Sequence, residues 1–279
     1  MRDAAIFPLP ASVSNFRSFQ FTQPFWPASS RSLRCLRSPR RFAPRYNLSL
    51  DMPRQTILID ADDTLWENNI FFEQTIEDFI SLVEPLGYSR EYARRILNET
   101  ERRNIQQHGY GVKSFGFSLE ETYRKLAGPM AQAPVFYQVQ GLCSALEKTP
   151  PQLLEGVPET LDYLGSRHRL ILFTKGHHAE QAAKVERSGL QSFFTAIEIV
   201  REKDAVTYDK LISRHRIVKT HGWIVGNSPR SDINPGLAAG LNAVFIPHHA
   251  TWELEHEELQ SGTGRLVVLS QFAQLREHF

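Results

Sequence analysis

Three acidic residues follow a short apolar run at positions 56–66, "TILIDADDTLW". The run has the composition of a β-strand, and Asp60, Asp62 and Asp63 come directly after it. Carboxylates this close repel one another, so the cluster is costly unless a cation or a proton relieves it. A solvated acidic turn is the simpler interpretation of such a motif in isolation, and the rest of the chain must decide between the two.

Other apolar runs also end in polar residues. Thr174 and Lys175 follow "ILF", Lys203 comes shortly after "IEIV", and Asn227 and Asp232 come after "WIV". Each of these has an ordinary explanation as a helix cap, a solvated lysine or a turn. Together they form the set that phosphate chemistry requires: a nucleophile, neutral and cationic donors for phosphate oxygens, and oxygen ligands for a divalent metal.

Strands and helices alternate after residue 52. Such alternation predicts right-handed crossovers and a parallel sheet covered by helices on both faces, a Rossmann-like doubly wound α/β fold. In such folds ligands bind beyond the carboxyl ends of the strands, where the acidic cluster is expected to lie. The predicted strands are Thr56–Ile59, Leu170–Phe173, Ala196–Val200, Trp223–Val225, Ala243–Ile246 and Leu266–Leu269, with helices at Ala179–Arg187, Val206–Arg214 and Ile233–Ala239.

A long helical segment interrupts this rhythm after the first strand. No strand pattern appears between Trp66 and Leu154, and a structureless loop of that length is improbable inside a compact domain. The Gly- and Pro-rich stretches "HGYGVKSFGFS" and "GPMAQAP" are predicted connectors. We therefore predict an α/β core at residues 52–66 and 150–279 with an inserted helical unit at 67–149 that could fold over the site. Its predicted helices are Ile70–Leu86, Arg90–Gln107, Leu119–Leu126 and Val135–Leu146.

Residues 1–51 differ in composition from the rest of the chain. They hold eight Arg and no Lys, with a net charge of +6. An Arg- and Ser-rich, acid-poor leader is typical of an organellar transit peptide, although scattered prolines oppose the usual amphipathic helix. The alternative is that Met52 is the true start. In either case we expect this segment to be disordered and outside the fold, and we expect a cytoplasmic protein, or an organellar one if the leader is a transit peptide.

Overall composition limits the classes of function. The chain of 279 residues has a net charge of +1, so the part after residue 51 carries −5. An acidic body of this kind argues against nucleic-acid binding. No apolar run reaches the length of a membrane-spanning helix. Cys35 and Cys143 lie far apart without metal-ligand spacing, which fits a reducing compartment. The oligomeric state cannot be predicted.

The motifs resemble those of the haloacid dehalogenase-like (HAD) hydrolase superfamily over about residues 55–274. "DADDTL" is similar to its first motif, Thr174 to its second, Lys203 to its third and "GNSPRSD" to its fourth. The stretch at 173–208 is especially similar to phosphatases of this group. The insert resembles the helical cap of the subfamily that acts mostly on small molecules, which implies a small phosphorylated metabolite as substrate.

The resemblance also implies residue roles. Asp60 would be the nucleophile that forms an aspartyl phosphate, and Asp62 would protonate the leaving alkoxide and then activate water. Thr174 and Lys203 would hold phosphoryl oxygens. Mg²⁺ would be the cofactor, and its ligands would be the side chain of Asp60, the carbonyl of Asp62, and Asn227 or Asp232. Dehalogenating members lack an acid at the position of Asp62 because a halide needs no proton, so phosphoryl transfer is favoured.

Two departures from the family pattern leave alternatives open. Most members have Asp where this chain has Asn227, which removes a negative charge from the metal site. Asp63 stands where Gly or Asn is common, and it could restore that charge or cap the following turn. A phosphate-binding protein with weakened catalysis and a phosphomutase therefore remain alternatives to a phosphatase.

Several other residues admit both a functional and a structural interpretation. His249, Trp252 and Glu255 could reach the insert or the substrate, or could simply pack a loop. Tyr110, Lys113 and Phe115 could face the site, in which case Lys113 would suit an acidic substrate. For His177 and His178 no zinc site is predicted, because no Cys or paired carboxylate is nearby at ligand spacing. These sets are resolved only by tertiary structure.

Overall fold

A computed structural model describes residues 54–279, which form eight strands and eight helices. The predictions made for residues 1–51 lie outside this part. The strands are β1 Thr56–Ile59, β2 Trp66–Glu67, β3 Gln152–Leu153, β4 Arg169–Lys175, β5 Ala196–Val200, β6 Gly222–Gly226, β7 Asn242–Phe245 and β8 Leu266–Val268. The helices are α1 Asn69–Val83, α2 Arg90–His108, α3 Val112–Ala127, α4 Ala133–Lys148, α5 Val157–Gly165, α6 His178–Ser188, α7 Ala205–His215 and α8 Asn234–Ala238.

The main sheet of this region is parallel and six-stranded, in the order β5-β4-β1-β6-β7-β8. β1 lies between β4 and β6, so the chain reverses its direction of winding beside the carboxyl end of β1. Such a point is where α/β folds open a crevice for ligands. The prediction of a doubly wound, Rossmann-like parallel sheet is confirmed.

Alternate residues of β1 enter two different cores. Ile57 and Ile59 pack on one face of the sheet, with α5, α6 and the C-terminal residues up to Phe279. Leu58 packs on the other face with residues of α7 and α8, including Tyr208. Because both faces are covered, the central strands carry nearly continuous apolar sequence, as the prediction assumed.

Helices α1 to α4 form the inserted unit and share an apolar core of their own. One boundary differs from the prediction. The expected connector at 108–118 is mostly helix, because α3 already begins at Val112. Gly116 lies within α3 against α4, where an added Cβ would come within 3.1 Å of the Sγ of Cys143. This glycine permits close helix packing and does not mark a loop. The division into core and insert at residues 66/67 and 149/150 stays a prediction.

Two features of the core were absent from the predicted elements. β2 and β3 form a short antiparallel pair between the core and the insert, and two residues per strand are too few for a recognisable period. The statement that no strand occurs between Trp66 and Leu154 is therefore wrong. Helix α5 was also missed, although Pro158 in its first turn and Val157, Leu161 and Leu164 at helical spacing were a usable signal.

Residues 54–279 contain no helix that is long and apolar enough to cross a bilayer.

Candidate active site

Asp60 lies at the centre of the carboxyl edge of the sheet. Its backbone N–H donates to the carbonyl of Val225 at 2.9 Å, which continues the β1–β6 pairing one residue beyond the strand. The side chain is buried. Its Oδ1 accepts from Lys203 at 2.5 Å, and its Oδ2 accepts from the Thr64 hydroxyl at 3.2 Å. The sheet thus holds a buried carboxylate at its switch point.

The backbone turns directly after Asp60. The Ala61 carbonyl accepts from the N–H groups of Thr64 at 3.2 Å and Leu65 at 2.8 Å. Asp63 has φ of 59°, a left-handed conformation that Gly and Asn tolerate best and Asp also adopts. Asp60 and Asp62, on either side of the start of this turn, line the same cavity.

The Asp63 carboxylate caps the start of α1. Its Oδ1 accepts from the backbone N–H groups of Asn68 at 2.9 Å and Asn69 at 3.0 Å. Burial raises the pKa of Asp63 to about 7, against the lowering effect of these bonds. Of the two roles left open for Asp63, the capping role is the one its contacts support.

Asp62 is held by three side chains. Lys184 donates to both of its oxygens at 2.9 and 3.1 Å, Gln181 donates at 2.7 Å and the Trp66 indole donates at 2.7 Å. Burial alone would raise the pKa of Asp62, but the charge of Lys184 and these hydrogen bonds outweigh it and hold the pKa below its usual value. Asp62 is therefore a carboxylate in this arrangement.

Lys203 joins two buried carboxylates. Its Nζ lies 2.5 Å from Oδ1 of Asp60 and 2.6 Å from Oδ1 of Asp232. Burial would lower the pKa of Lys203, yet Asp232 and Asp60 raise it well above the usual value. One ammonium cannot neutralise two carboxylates. Burial followed by repulsion from Asp232 therefore raises the pKa of Asp60 to about 7.

Thr174 and Lys175 close β4 beside this group. Thr174 is buried and lines the same cavity as Asp60. Lys175 lines the cavity as well, and its Nζ donates to the Ser231 hydroxyl at 2.7 Å and pairs with Glu255. Both candidate phosphate-binding residues, Thr174 and Lys203, therefore line the cavity, and Lys175 beside them is already paired.

Gly226 allows Asp232 to approach the end of β6. A Cβ added at Gly226 would lie 2.3 Å from Oδ2 of Asp232. That oxygen accepts from the Ser228 N–H at 3.1 Å, so both oxygens of Asp232 have protein partners. Asn227 contacts Thr64 instead of Lys203. Its Oδ1 accepts from the Thr64 hydroxyl at 3.3 Å, and the same hydroxyl also lies within hydrogen-bond distance of Asp60. Asn227 and Asp60 are thus brought together through one hydroxyl.

The donor set fits a hard divalent cation. Asp60 Oδ2 and Asn227 Oδ1 both lie within hydrogen-bond distance of Thr64 Oγ1, so two prospective ligand oxygens converge. Within residues 54–279, no backbone N–H group outside the helices and strands donates to the carbonyl of Asp62. This carbonyl oxygen is therefore available as a third ligand. Carboxylate, amide and carbonyl oxygens are ligands that Mg²⁺ accepts. Residues at these positions therefore suit the predicted metal.

A second group of potential ligands lies nearby. Ligand atoms of Asp63, Glu67 and His248 fall within 4.8 Å of one another. Nδ1 of His248 accepts from the Ala250 N–H at 3.3 Å, so the neutral ring carries its proton on Nε2, which lies 3.0 Å from Glu67. A metal on Nε2 would need the opposite tautomer. Nε2 of His248 and Oε2 of Glu67 are both buried, and although they lie 3.0 Å apart, neither has a hydrogen-bond partner among residues 54–279.

The segment after β7 and the start of α3 meet over the site. Tyr110 donates to Glu202 at 2.8 Å, and its ring lies edge-on to Trp252 with centroids 6.1 Å apart. Glu255 is buried and accepts from the hydroxyls of Ser228 and Ser231, both at 2.5 Å. Trp252 and Glu255 therefore do more than pack a loop.

A cavity of ≈ 150 Å³ lies between the sheet edge and the insert. All six residues predicted for the site line it, and so do Tyr110 and Phe115 from the insert. Lys113 lines a different groove, which removes the reason to expect an acidic substrate. The six are Asp60, Asp62, Thr174, Lys203, Asn227 and Asp232.

Sequence reasoning missed several residues that surround these six. Lys184 and Gln181 hold Asp62, and Glu180 of α6 accepts from the backbone N–H of Val112 in the insert at 2.9 Å. The three residues lie within about one turn of α6, the helix that follows β4. Their position after a strand that ends in Thr174 was a possible signal, but the same spacing is common on any solvated helix.

Comparisons with known proteins agree with this architecture. Residues 55–240 match the family model of the haloacid dehalogenase-like hydrolases. A haloacid dehalogenase-like family hydrolase from Xanthomonas campestris is 28% identical, covers 81% of this chain and 90% of its own, and superposes with a TM-score of 0.71. No curated protein matches the sequence.

More distant structures share the fold alone. A magnesium-bound HAD-hydrolase from Bacillus subtilis is 18% identical over 81% of this chain and 98% of its own, with a TM-score of 0.56. The L-2-haloacid dehalogenase from Xanthobacter autotrophicus with chloropropionic acid covalently bound is 12% identical over 80% and 97%, with a TM-score of 0.53. The match over two thirds of the sequence, on a sheet that carries all four motifs at one edge, means that the chain belongs to the haloacid dehalogenase-like hydrolases.

Proposed function

We propose that the chain is a Mg²⁺-dependent phosphatase of a small phosphorylated metabolite. The observation that carries this proposal is the contact of Lys203 with both Asp60 and Asp232 at the wall of the cavity. A buried nucleophile beside a fixed ammonium suits an incoming group with several anionic oxygens. Phosphoryl transfer depends mainly on such positioning and charge stabilisation.

The proposed reaction proceeds in two displacements. An oxygen of Asp60 attacks phosphorus, the new O–P bond forms, and the bond between phosphorus and the ester oxygen breaks. Asp62, which must be protonated at this stage, gives its proton to the departing alkoxide and becomes a carboxylate. A water molecule then attacks phosphorus, gives its proton to Asp62 and releases Asp60 as a carboxylate with inorganic phosphate. Lys203 and Thr174 hold the phosphoryl oxygens during both steps.

Asp62 has to change its contacts during this cycle. Bound to Lys184, Gln181 and Trp66 it is a carboxylate, which is the form that accepts the proton of water. Its acid role requires that it separate from Lys184 and approach the leaving oxygen.

The Asp60 side chain, the Asp62 carbonyl and the amide oxygen of Asn227 would hold Mg²⁺. When bound, the ion neutralises negative charge on the phosphate and on the carboxylates that face it. Asp232 would support the site through Lys203, with which it already shares a short contact.

Asn227 favours one rival, a phosphate-binding protein with weakened catalysis. An amide ligand carries one negative charge less than the usual carboxylate, so affinity for the metal should be lower. Dehalogenation is less well supported, because a halide does not need the proton that Asp62 can supply.

Hydrolysis of p-nitrophenyl phosphate with and without Mg²⁺ tests the proposal. We expect metal-dependent turnover by the wild type and a loss of at least about 10³-fold in Asp60→Asn, which retains size but not the nucleophilic charge. Asp209→Asn is the matched control, because Asp209 is exposed on α7. Phosphate binding without turnover by the wild type would favour the rival. Near-normal activity of Asp60→Asn would mean that the nucleophile is wrongly assigned.

A further inference from the structure

Helices α1 to α3 of the insert contribute mainly apolar residues to the cavity wall, together with Asn69, Glu101 and Ser114. The apolar residues Phe72, Ile76, Ile105, Val112 and Phe115 come from α1, α2 and α3. Among them lie the carboxyl group of Glu101 and the hydroxyl of Ser114. Apolar walls with a few polar groups are usual where a protein orients the organic part of a ligand.

Glu101 has no hydrogen-bond or ion-pair partner among residues 54–279. The nearest basic residue on its helix face is Arg94, whose guanidinium donates to both oxygens of Glu73 at 2.7 and 2.9 Å and to Asn98 at 3.1 Å. Burial raises the pKa of Glu101 to about 7, with Arg94 opposing that change. Glu101 thus borders the cavity with a carboxyl group that has no hydrogen-bond or ion-pair partner in the described part of the chain.

Ser114 supplies a second and independent observation. Its Oγ is buried, lines the same cavity, and has no hydrogen-bond partner in the described part of the chain. The residue is only 5% exposed. A buried hydroxyl without a partner loses the hydrogen bonds it made to water, which destabilises the protein unless a ligand replaces them. Glu101 on α2 and Ser114 on α3 therefore line one cavity, and neither side chain has a hydrogen-bond partner among residues 54–279.

The charge of the cavity indicates which ligand group would fit. Seven carboxyl groups and three lysines line it within residues 54–279. Each lysine already contacts a carboxylate: Lys175 pairs with Glu255, Lys184 with Asp62, and Lys203 with Asp60 and Asp232. An additional carboxylate on a ligand would find no free ammonium here, whereas a hydrogen-bond donor would find two acceptors.

We infer that Glu101 and Ser114 form a subsite for a hydrogen-bond donor, best a primary ammonium, on the organic part of the phosphomonoester. This inference rests on the proposed function and narrows its substrate class. The substrate would be a compact amino-alkyl or hydroxy-alkyl phosphate whose phosphate lies at Asp60 and Lys203 and whose donor group reaches Glu101. Acidic phosphomonoesters would be poor substrates.

Binding of phosphonates, which cannot be hydrolysed, tests the subsite separately from catalysis. Calorimetric titration in MgCl₂ at pH 7.5 would compare propylphosphonate, 3-aminopropylphosphonate, 3-hydroxypropylphosphonate and 3-phosphonopropionate, with 2-aminoethyl- and 4-aminobutylphosphonate to cover length. We expect the best amine to bind the wild type at least tenfold tighter than propylphosphonate, the hydroxyl compound to fall between them, and 3-phosphonopropionate to bind most weakly.

Variants identify the group responsible. Glu101→Gln should reduce the preference for the amine over propylphosphonate to about twofold or less, and Ser114→Ala should reduce it by a smaller factor. Glu99→Gln, exposed on the same helix, should keep the wild-type preference. Equal binding of amine and propyl compounds by the wild type, no binding of any phosphonate, or an unchanged preference in both Glu101→Gln and Ser114→Ala would each overturn the subsite.

The two proposals fail in different ways. Selective binding of the amine without hydrolysis of any phosphomonoester would leave the subsite standing and overturn the proposed phosphatase. The phosphate esters that correspond to propylphosphonate, 3-aminopropylphosphonate, 3-hydroxypropylphosphonate and 3-phosphonopropionate test both proposals at once. Turnover of all four esters with equal kcat/KM would leave the phosphatase standing and overturn the subsite.

Discussion

At the scale of single residues, the charges around Asp60 do not balance. Two buried carboxylates share the ammonium of Lys203, and the pKa values of Asp60 and Asp232 are both raised. A divalent cation would compensate for this excess of negative charge. Asn227 is the neutral member of the proposed ligand set, so this residue determines how strongly the site would bind that cation.

Asn227→Asp is expected to increase the affinity for Mg²⁺ by about tenfold, or 1.4 kcal/mol. A unit charge about 4 Å from another contributes roughly 4 kcal/mol at an effective dielectric of 20, and repulsion from Asp60 in the metal-free protein offsets much of it. The maximal rate at saturating Mg²⁺ should change little. Titration of activity against Mg²⁺ measures this, and identical half-saturation would show that residue 227 does not contact the metal.

Glu101→Gln is expected to stabilise the fold at high pH. The pKa of Glu101 rises from 4.5 to about 7 on folding, so folding keeps a proton that the unfolded chain loses between these values. The stability that this group contributes is therefore present below pH 4.5 and lost as the pH rises through 7, a loss of up to about 3 kcal/mol.

The difference in the free energy of unfolding between Glu101→Gln and the wild type should therefore grow from pH 4.5 to pH 8. Urea denaturation at the two pH values checks this, with Glu99→Gln as the matched variant on the exposed side of α2. A difference of the same size at both pH values would contradict the buried, protonated state of Glu101.

At the scale of elements, the sheet sets the site by bringing the ends of β1, β4 and β6 together. β6 and the turn that follows it need close backbone contact, since the Asp232 side chain passes directly over Gly226. The backbone of Gly226 is not in the left-handed region, so the requirement is for space alone.

Gly226→Ala is expected to lower stability by about 1–3 kcal/mol and to reduce activity strongly, because the added methyl group displaces Asp232 and with it Lys203. Gly141→Ala in α4 is the matched control, because nothing lies within 4 Å of its added Cβ and alanine favours a helix by about 1 kcal/mol. Thermal unfolding and the phosphatase assay measure both. Normal activity of Gly226→Ala would show that Asp232 is not needed where it lies.

At the scale of the whole molecule, the site is completed only where the core meets the insert. Glu180 in the first turn of α6 accepts from Val112 at 2.9 Å and Lys113 at 3.4 Å, the first two N–H groups of α3. Gly111, with φ of 122°, leaves room for this carboxylate, which a Cβ would approach to 2.4 Å. A charged acceptor at a helix N-terminus is favourable and directional.

Glu180→Gln is expected to loosen the contact between insert and core. Loss of about 1.4 kcal/mol from these charge-assisted bonds should speed hydrogen exchange of the Val112 and Lys113 amides by about tenfold. KM for a phosphomonoester should rise as well. Glu186→Gln, exposed on the same helix, is the matched control. Unchanged amide exchange in Glu180→Gln would mean that other contacts hold the insert in place.

The amino-acid sequence alone predicted the α/β architecture and the six strands of the main sheet, because hydrophobic period is a local property. The six predicted site residues rested on polar residues at the strand ends and on the resemblance of their motifs to the haloacid dehalogenase-like hydrolases. The sequence could not find Lys184, Glu101 or Ser114, because their roles depend on which helix faces meet across one cavity. Nor could it show that Gly116 lies in a helix. The glycines at 108–118 favour a connector, whereas the close packing of Gly116 against Cys143 is a tertiary contact. Tertiary structure is also why Lys113, close in sequence to Phe115, lines a different groove: successive residues of a helix point about 100° apart, and only tertiary packing decides which of them faces the site.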